Sequence, residues 1–409
     1  MDRYYFTQNL MTESDCMQEL GTFELVTATE RLLSEVLGDR IHISKVERLT
    51  EKGRRNLLLR CFIHPVSGLP SSFIIKKVET EYSPNLTDWD TRRFFNDWTG
   101  SQFLNTIPSK FQHSPLFYGG DKPNGMASLR NFGFIVIEDV QHQNSLVEPL
   151  LGSDRNYAEW ALLQYATCLG QLHSDTLGKV AEFEELYKTL SPEMKFARSN
   201  LNIQQHESRF EKLGIKFTSN WWLDLEAINT MLSNPNEFLA YVHTDACPDN
   251  VLDTGNKLRL IDFETGRFDH AFIDAACGRM MFPSCWCSKR LPLNLVRQME
   301  HTYRVILIQL CPIARDDEVF ETALVNACGF WLLYTLSRHL DYALVKDGVF
   351  GISTIRQRIL ARLETFIVTS REFNRLYGLR DTSSRLLALL HQRWSNVADL
   401  PLYPAFQTN

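Results

Sequence analysis

The pattern of apolar and polar positions divides the chain into a strand-rich first part and a helix-rich remainder. Apolar stretches at 41–49, 56–63 and 73–78 are short and are separated by turns that contain glycine or proline. Such stretches are typical of β-strands, and short turns between consecutive strands predict an antiparallel meander. Farther along, the apolar positions within 157–172 recur at the spacing of one helix face, and helical patterns then dominate.

Additional elements complete the strand-rich part. Thr27 and Glu30 have the spacing of a capping box, which predicts a helix over 27–37. Two further strands are expected at 115–118 and 132–137. The pattern as a whole predicts an α+β fold with a small antiparallel sheet and a larger helical part.

The same pattern sets the expected domain organisation. Residues 1–20 are polar and are expected to form an N-terminal tail. A smaller, sheet-containing unit is predicted over 21–140, and a larger, mainly helical unit over 141–409.

Composition excludes several classes of protein. The chain has 409 residues, a net charge of −6 and no basic stripe, which argues against nucleic acid as its main partner. No basic segment followed by an apolar core begins the chain, so no signal peptide is expected. No run of about 18 apolar residues is present, so no membrane association is expected.

The cysteines point to a reducing compartment. There are nine of them, an odd number, without Cys-x-x-Cys pairs, which fits free thiols in a cytoplasmic protein. Cys285 and Cys287, with Cys277 nearby, form a cluster. Buried thiols are the favoured interpretation, because the spacing differs from that of common structural zinc sites, and a zinc site stays as the alternative.

The strongest chemical signal is a short segment containing Asp245 and Asn250, followed by Asp262 after an apolar stretch at 258–261. Strands are expected at 241–242 and 258–261, so a hairpin over 251–261 places these polar residues at strand ends and in the intervening loop. Carboxylate and amide oxygens at such positions form the set that phosphoryl transfer needs: one group for the attacking hydroxyl and two for Mg²⁺. The alternative is that Asn250 is a plain turn residue, but converging carboxylates are costly without a cation.

This segment resembles the aminoglycoside phosphotransferase and choline kinase family. The resemblance rests on the family's His-Gly-Asp-x-x-x-x-Asn and Ile-Asp-Phe-Glu/Asp motifs. The matching residues are His243, Asp245, Pro248, Asn250, Ile261, Asp262, Phe263 and Glu264, and Asp274-Ala-Ala is similar to a downstream motif. One departure is Thr244, where the family usually has glycine.

The resemblance implies a bilobal, protein-kinase-like fold, with ATP and Mg²⁺ as cofactors. Asp245 would be the catalytic residue that orients and deprotonates the acceptor hydroxyl, and Asn250 and Asp262 would hold the metal. The implied activity is transfer of the γ-phosphoryl group of ATP to a hydroxyl of a small molecule. The acceptor would be similar to an aminoglycoside, to choline or to a sugar.

Further nucleotide contacts follow from the same resemblance. Lys76, in the apolar stretch at 73–78, would pair with phosphate, although Lys77 stays open because a shift of one residue exchanges the two faces of a strand. Asp97, on a helix expected at 92–104, would pair with that lysine, and a solvated aspartate on the helix surface is the alternative.

The remaining nucleotide-site candidates are Gly53, Glu138 and Val140. Gly53 occupies the place of the loop that covers the nucleotide, and a plain hairpin turn explains it equally well. Adenine would bond backbone groups from Glu138 to Val140.

Function is left with two main hypotheses, since a third, a protein kinase, is disfavoured by the absence of a glycine-rich loop and of an Ala-Pro-Glu segment after Asp262. The leading one is a small-molecule kinase, and the other is a catalytically silent binding or regulatory protein with the same fold. An acceptor pocket is expected in the C-terminal third, where Phe282, Trp286 and Trp331 are candidate lining residues and core packing is the alternative for each.

Overall fold

The computed structural model describes residues 22–51, 54–78, 88–122, 133–141, 144–193, 198–255 and 257–407. These residues divide into two compact units. The first contains the described residues up to Thr106, together with Ser114–Gln141 and 186–193. The second contains Ile107–His113 and the described residues of 142–185 and 195–409. The expected tail at 1–20 and Gly53 lie outside the described residues.

The first unit is built on a five-stranded sheet. Its elements are α1 (Thr22–Leu37), β1 (Ile43–Arg48), β2 (Asn56–Ile63), β3 (Ser72–Val78), α2 (Asp88–Thr106), β4 (Phe117–Asp121) and β5 (Phe134–Glu138). The strand order is β1-β2-β3-β5-β4, and every neighbouring pair is antiparallel. The predicted meander of β1, β2 and β3 is therefore confirmed.

Alternation along β3 determines which face of the sheet carries the core. Phe73 and Ile75 are fully buried and pack with Leu33 of α1 in one apolar cluster. Because neighbouring side chains on a strand point to opposite faces, Lys76 lies on the other face from Ile75. The fold thereby presents a lysine on the sheet surface opposite the α1 core.

The predicted start of α1 was wrong. The helix begins at Thr22, so Thr27 is an exposed residue inside it. Leu25 is buried with Leu33, and this apolar contact extends the helix before Thr27. Glu30 does not complete a capping box, because its carboxylate accepts from the backbone N–H of Ile43 at 2.7 Å.

The second unit is mainly helical. Its helices are α3 (Val147–Leu151), α4 (Arg155–Thr176), α5 (Val180–Leu190, of which 186–190 belong to the first unit), α6 (Ile203–Lys212), α7 (Ser219–Ser233), α8 (Phe272–Ala275), α9 (Leu293–Leu307), α10 (Asp317–Val345), α11 (Ile355–Glu372) and α12 (Tyr377–Arg393). The predicted helix at 157–172 is confirmed within α4. The side chain of Asp154 caps its N-terminus by accepting from the backbone N–H of Tyr157 at 3.0 Å. A sheet-containing unit and a helical unit confirm the expected α+β class.

Short strands in the second unit hold the candidate site. They are β6 (Asn144–Ser145), β7 (Leu239–Val242), β8 (Val251–Asp253), β9 (Leu258–Leu260), β10 (Arg267–His270), β11 (Val349–Phe350) and β12 (Ser353–Thr354). β8 and β9 form the hairpin expected from the sequence, with β6 added to its edge. β7 pairs separately with β10.

Among the described helices, α10 is long and apolar enough to cross a membrane by length and composition alone, with a mean hydropathy of 1.4. Of its most apolar window, 78% is buried inside the protein. Such burial is typical of the core helix of a protein.

Candidate active site

The catalytic loop, residues 243–250, is a tight turn between β7 and β8. The backbone carbonyl of Asp245 accepts from the backbone N–H of Cys247 at 2.7 Å and from the side-chain amide of Asn250 at 2.9 Å. A short 3₁₀ turn, Pro248–Asn250, completes the loop. Asn250 is therefore fixed to the backbone of Asp245, and both side chains are half-buried rather than enclosed in the core.

The β8–β9 hairpin brings Asp262 beside this loop. The backbone N–H of Ile261 donates to the carbonyl of Asn250 at 3.0 Å, which continues the pairing of Val251 with Leu260. Asp262 is the next residue and has φ +68°, in the left-handed region where a non-glycine residue is strained. The hairpin register thus sets Asn250 and Asp262 next to one another, although twelve positions separate them along the chain.

The donor set of these two residues suits Mg²⁺. The side-chain amide nitrogen of Asn250 is held by Asp245, and no described residue donates to its Oδ1 oxygen. That oxygen and the carboxylate of Asp262 are hard oxygen ligands, which Mg²⁺ prefers. Asn250 and Asp262 therefore fit the metal-binding role expected from the sequence.

Asp274 organises the start of the catalytic loop. Its buried carboxylate accepts from the backbone N–H of His243 at 2.6 Å and from that of Thr244 at 2.8 Å. Burial alone raises the pKa of Asp274. Two histidines outweigh this effect and lower the pKa of Asp274 overall. His173 acts through its hydrogen bond and its charge, and His243 acts through its charge and its backbone N–H. A buried anion thus holds the two residues before Asp245.

Two histidines extend this network. His173 is fully buried and contacts Asp274 through Nε2 at 3.3 Å and the hydroxyl of Tyr303 through Nδ1 at 2.9 Å. His243 is also buried, and its Nε2 donates to the carbonyl of Ile261 at 2.9 Å. His243 thereby connects the catalytic loop to the residue before Asp262. Both histidines have the geometry of positioning residues, and Asp274 is a positioning residue whose partners the sequence did not reveal.

Thr244 has a left-handed backbone, which explains why glycine suits its position. Its φ is +61°, a conformation that costs an L-residue roughly 1–2 kcal/mol. Two contacts offset part of this cost. The Thr244 hydroxyl donates to the carbonyl of Thr265 at 3.0 Å, and the Thr265 hydroxyl donates to the carbonyl of His243 at 3.2 Å.

In the first unit, Lys76 and Asp97 form an ion pair. The Nζ atom of Lys76 lies 2.5 Å from Oδ2 of Asp97, and both side chains are largely buried, with 12% and 6% of their surface exposed. Lys76 lies in β3, and Asp97 lies on α2. The pairing of a sheet lysine with a helix carboxylate is the one that the sequence suggested.

The end of β5 is fixed by side chains. Asp139 accepts from Arg60 at 2.7 Å and from the hydroxyl of Ser72 at 2.6 Å. The backbone N–H of Glu138 donates to the carbonyl of Leu116 at 2.8 Å, and the Glu138 carboxylate accepts from the Leu116 N–H at 2.9 Å. Val140 follows as a buried residue. The segment from Glu138 to Val140, which is expected to contact adenine, is therefore held in place by these hydrogen bonds. The backbone N–H of Glu138 already donates to Leu116.

The aromatic candidates for an acceptor pocket divide into two groups. Phe282 and Trp331 are core residues: Phe282 packs on Tyr165, and the indole N–H of Trp331 donates to the carbonyl of Ile273 at 2.6 Å. Trp286 is half-buried and donates to Oδ2 of Asp249 at 2.8 Å. Core packing thus explains the first two, and Trp286 joins a residue next to Asn250.

Comparisons with known proteins show what the segment containing this site is similar to. Residues 117–292 match the model of the phosphotransferase enzyme family. No curated protein matches the chain by sequence. This match agrees with the resemblance to the aminoglycoside phosphotransferase and choline kinase family expected from the motifs.

Three solved structures illustrate the similarity. Choline kinase from Cryptosporidium parvum Iowa II is 12% identical over 89% of this chain and 99% of its own, with a TM-score of 0.47. A choline/ethanolamine kinase family protein from Mesorhizobium loti is 14% identical over 87% and 99%, with a TM-score of 0.44. Spectinomycin phosphotransferase, in complex with ADP and spectinomycin, is 12% identical over 88% and 97%, with a TM-score of 0.40.

Identities and scores at this level do not identify a substrate, so the assignment depends on the matched segment and on the site within it. That segment contains Asp245, Asn250 and Asp262 in the order and geometry described above. Over residues 117–292 this chain is therefore similar to the phosphotransferase enzyme family.

Proposed function

We propose that this protein is an ATP- and Mg²⁺-dependent phosphotransferase that transfers the γ-phosphoryl group to a hydroxyl of a small molecule. The observation that carries the proposal is the hydrogen-bonded arrangement of Asp245 and Asn250, with Asp262 set beside Asn250 by the hairpin register. A purely structural turn would not need a half-buried carboxylate, an amide oxygen that no described residue donates to and a strained second aspartate at one place.

Asp245 is assigned to the acceptor. Its carboxylate orients the hydroxyl and accepts its proton as the oxygen bonds to phosphorus and the bond to the leaving phosphate oxygen breaks. Such a group contributes typically 10²–10⁴-fold to the rate. The backbone of Asp245 is fixed by Asn250 and Cys247, so the carboxylate is held before the acceptor binds.

Asn250 and Asp262 are assigned to the metal, and Lys76 to phosphate. Bound Mg²⁺ would supply positive charge against the phosphate oxygens. Lys76 is kept in place by Asp97, because an ammonium in an apolar strand is costly without a negative partner. Backbone groups from Glu138 to Val140 are assigned to the adenine, at the braced end of β5.

The test is a turnover assay with a panel of hydroxyl compounds: aminoglycosides, choline-like and amino alcohols, and sugars. ADP release would be measured with Mg-ATP, and each product would be checked by mass spectrometry for one added phosphoryl group. We expect at least one acceptor to be phosphorylated by the wild type and not by Asp245→Asn.

The other hypothesis is a silent binding protein with this fold. It predicts binding of Mg-ATP without acceptor-dependent ADP release across the whole panel. That result, with the protein shown to be folded, would contradict the proposed activity while leaving the family assignment intact.

A further inference from the structure

Beside the catalytic loop lies a second cluster of potential metal ligands. The sulfurs of Cys247 and Cys285 and a carboxylate oxygen of Asp249 all lie within 4.8 Å of one another. The sulfur of Cys287 lies 3.0 Å from that of Cys285. Two of these residues come from the catalytic loop and two from the segment after α8, so the fold brings together groups that are far apart in sequence.

Neighbouring donor groups orient the side chains of this cluster. The indole N–H of Trp286 donates to Oδ2 of Asp249 at 2.8 Å, while Oδ1 faces the sulfur of Cys285 at 3.9 Å. The backbone N–H of Cys287 points at the Cys285 sulfur at 3.4 Å. Hydrogen bonds of this kind orient a ligating carboxylate and stabilise a thiolate, and they are typical partners of metal ligands.

Two buried arginines carry positive charge close to the cluster. Arg358 and Arg362 are almost fully buried, with 2% and 1% of their surface exposed. Arg358 donates to the carbonyls of Cys285, Trp286 and Phe350 and to the hydroxyl of Ser353, and it pairs with no carboxylate among the described residues.

Arg362 makes fewer hydrogen bonds than Arg358. It donates to the carbonyl of Met280 and the hydroxyl of Ser288, and its Nη1 has no hydrogen-bond partner within the described part of the chain. Its charge interacts with that of Arg358 and with the Cys285 and Cys247 side chains. Two buried guanidinium groups that meet no carboxylate among the described residues are costly unless negative charge lies nearby.

We propose that Cys247, Asp249, Cys285 and Cys287 bind one Zn²⁺ ion, in a site separate from the Mg²⁺ ligands. Three thiolates and one carboxylate carry a charge of −4, and Zn²⁺ leaves −2. The two arginines supply +2, so the buried region becomes neutral. Tetrahedral zinc with sulfur at about 2.3 Å sets its ligand sulfurs about 3.8 Å apart. The sulfurs of Cys285 and Cys287, now 3.0 Å apart, would therefore have to separate, and the Cys287 side chain would have to turn toward the other three ligands.

Zinc binding has a direct consequence for the catalytic loop. Without metal, the thiol of Cys247 donates to Oδ1 of Asp245 at 2.9 Å. On binding, each of the three thiols releases its proton to solvent, and the cysteine sulfurs bond to zinc instead. The hydrogen bond to Asp245 is then lost, while the loop becomes tied to the segment containing Cys285. The metal is thus expected to stiffen the loop and leave the Asp245 carboxylate available to the acceptor.

The test uses the full chain. Metal content of the protein, purified without chelator, would be measured by mass spectrometry, and metal-depleted, reduced protein would be titrated with Co²⁺. We expect one equivalent of bound metal, a thiolate-to-cobalt charge-transfer band that saturates at one equivalent, and displacement of Co²⁺ by Zn²⁺. Absence of that band in folded, reduced protein would overturn the proposal. A Cys285–Cys287 disulfide that persists under reducing conditions would do the same.

Variants localise the site without depending on activity. Cys285→Ser should abolish the band, and Trp286→Phe, which removes only the N–H to Asp249, should weaken Co²⁺ binding about 10–100-fold. Cys328→Ser is the matched control, since Cys328 is an equally buried free thiol in α10. Asp262→Ala should leave the band unchanged, because Asp262 belongs to the other metal site and lies outside the catalytic loop. Equal effects of Cys285→Ser and Cys328→Ser would contradict the placement.

Discussion

The ammonium of Lys76 and the carboxylate of Asp97 lie 2.5 Å apart in the first unit, both largely buried. This pair holds a lysine within an apolar strand at a fixed position, and phosphate oxygens are suitable partners for an ammonium group. Asp97 is shorter than glutamate, and α2 carries it close enough to reach β3 directly.

We expect Lys76→Met to weaken the binding of Mg-ATP at least tenfold, because each tenfold change corresponds to about 1.4 kcal/mol and a phosphate contact of this kind exceeds that. Calorimetric titration measures it. Lys77→Met, one residue along the same strand, is the matched control and should bind within about twofold of wild type. A stronger effect of Lys77→Met would transfer the phosphate-binding role to that residue.

Asn250→Ala and Asp262→Ala should each weaken nucleotide binding in a metal-dependent way. The expected result is a loss of affinity with Mg-ATP and little change with ATP in the presence of a chelator, because both residues supply oxygen ligands to the cation. Titrations with and without Mg²⁺ give the comparison. Identical losses under both conditions would assign the two residues to loop structure instead.

Two variants of Thr244 separate backbone strain from its hydrogen bond. Thr244→Ala removes the hydroxyl but retains a Cβ at φ +61°, whereas Thr244→Gly removes both. We expect the glycine variant to be more stable than the alanine variant by about 1 kcal/mol. Urea unfolding measures the difference. Equal stability of the two variants would show that the left-handed backbone costs little here.

The features that could be predicted from the sequence are those that depend on residues close together along the chain. The strand β2 was predicted with its observed bounds, and the order of Asp245, Asn250 and Asp262 could be recognised because all three lie within one hairpin and its flanking loops. Local patterns of this kind are determined by alternation and turn residues.

Other features depend on contacts between distant segments. The partners of Asp274 include His173, which lies 101 positions away, and Asp249 meets Trp286 across 37 positions. The choice between Lys76 and Lys77 depended on sheet register, which α2 and the apolar cluster with α1 determine. The pattern of residues in a single sequence does not show which distant segments come into contact.

Stability should decrease as the pH falls from about 6.5 to about 4. Burial, reinforced by the charge of Arg209, lowers the pKa of His206 to about 4. Between these values the unfolded chain binds a proton that the folded chain does not, so folding loses on the order of 2–3 kcal/mol across the window.

The pH effect is tested by urea unfolding of His206→Gln and wild type at several pH values. The variant should show a shallower decrease, although not a flat profile, because burial also lowers the pKa of His270 to about 3 and that of His339 to about 4. His301→Gln, at an exposed residue, is the control and should follow the wild type. An unchanged slope for His206→Gln would rule out this histidine as a source of the effect.

The central claim is that Asp245 serves the acceptor hydroxyl and not the nucleotide. The most direct measurement compares Asp245→Asn with wild type for acceptor-dependent turnover and, separately, for calorimetric binding of Mg-ATP. We predict a decrease in turnover on the order of 10²–10⁴-fold with nearly unchanged Mg-ATP affinity. Turnover within a few-fold of wild type in the folded variant would contradict the account.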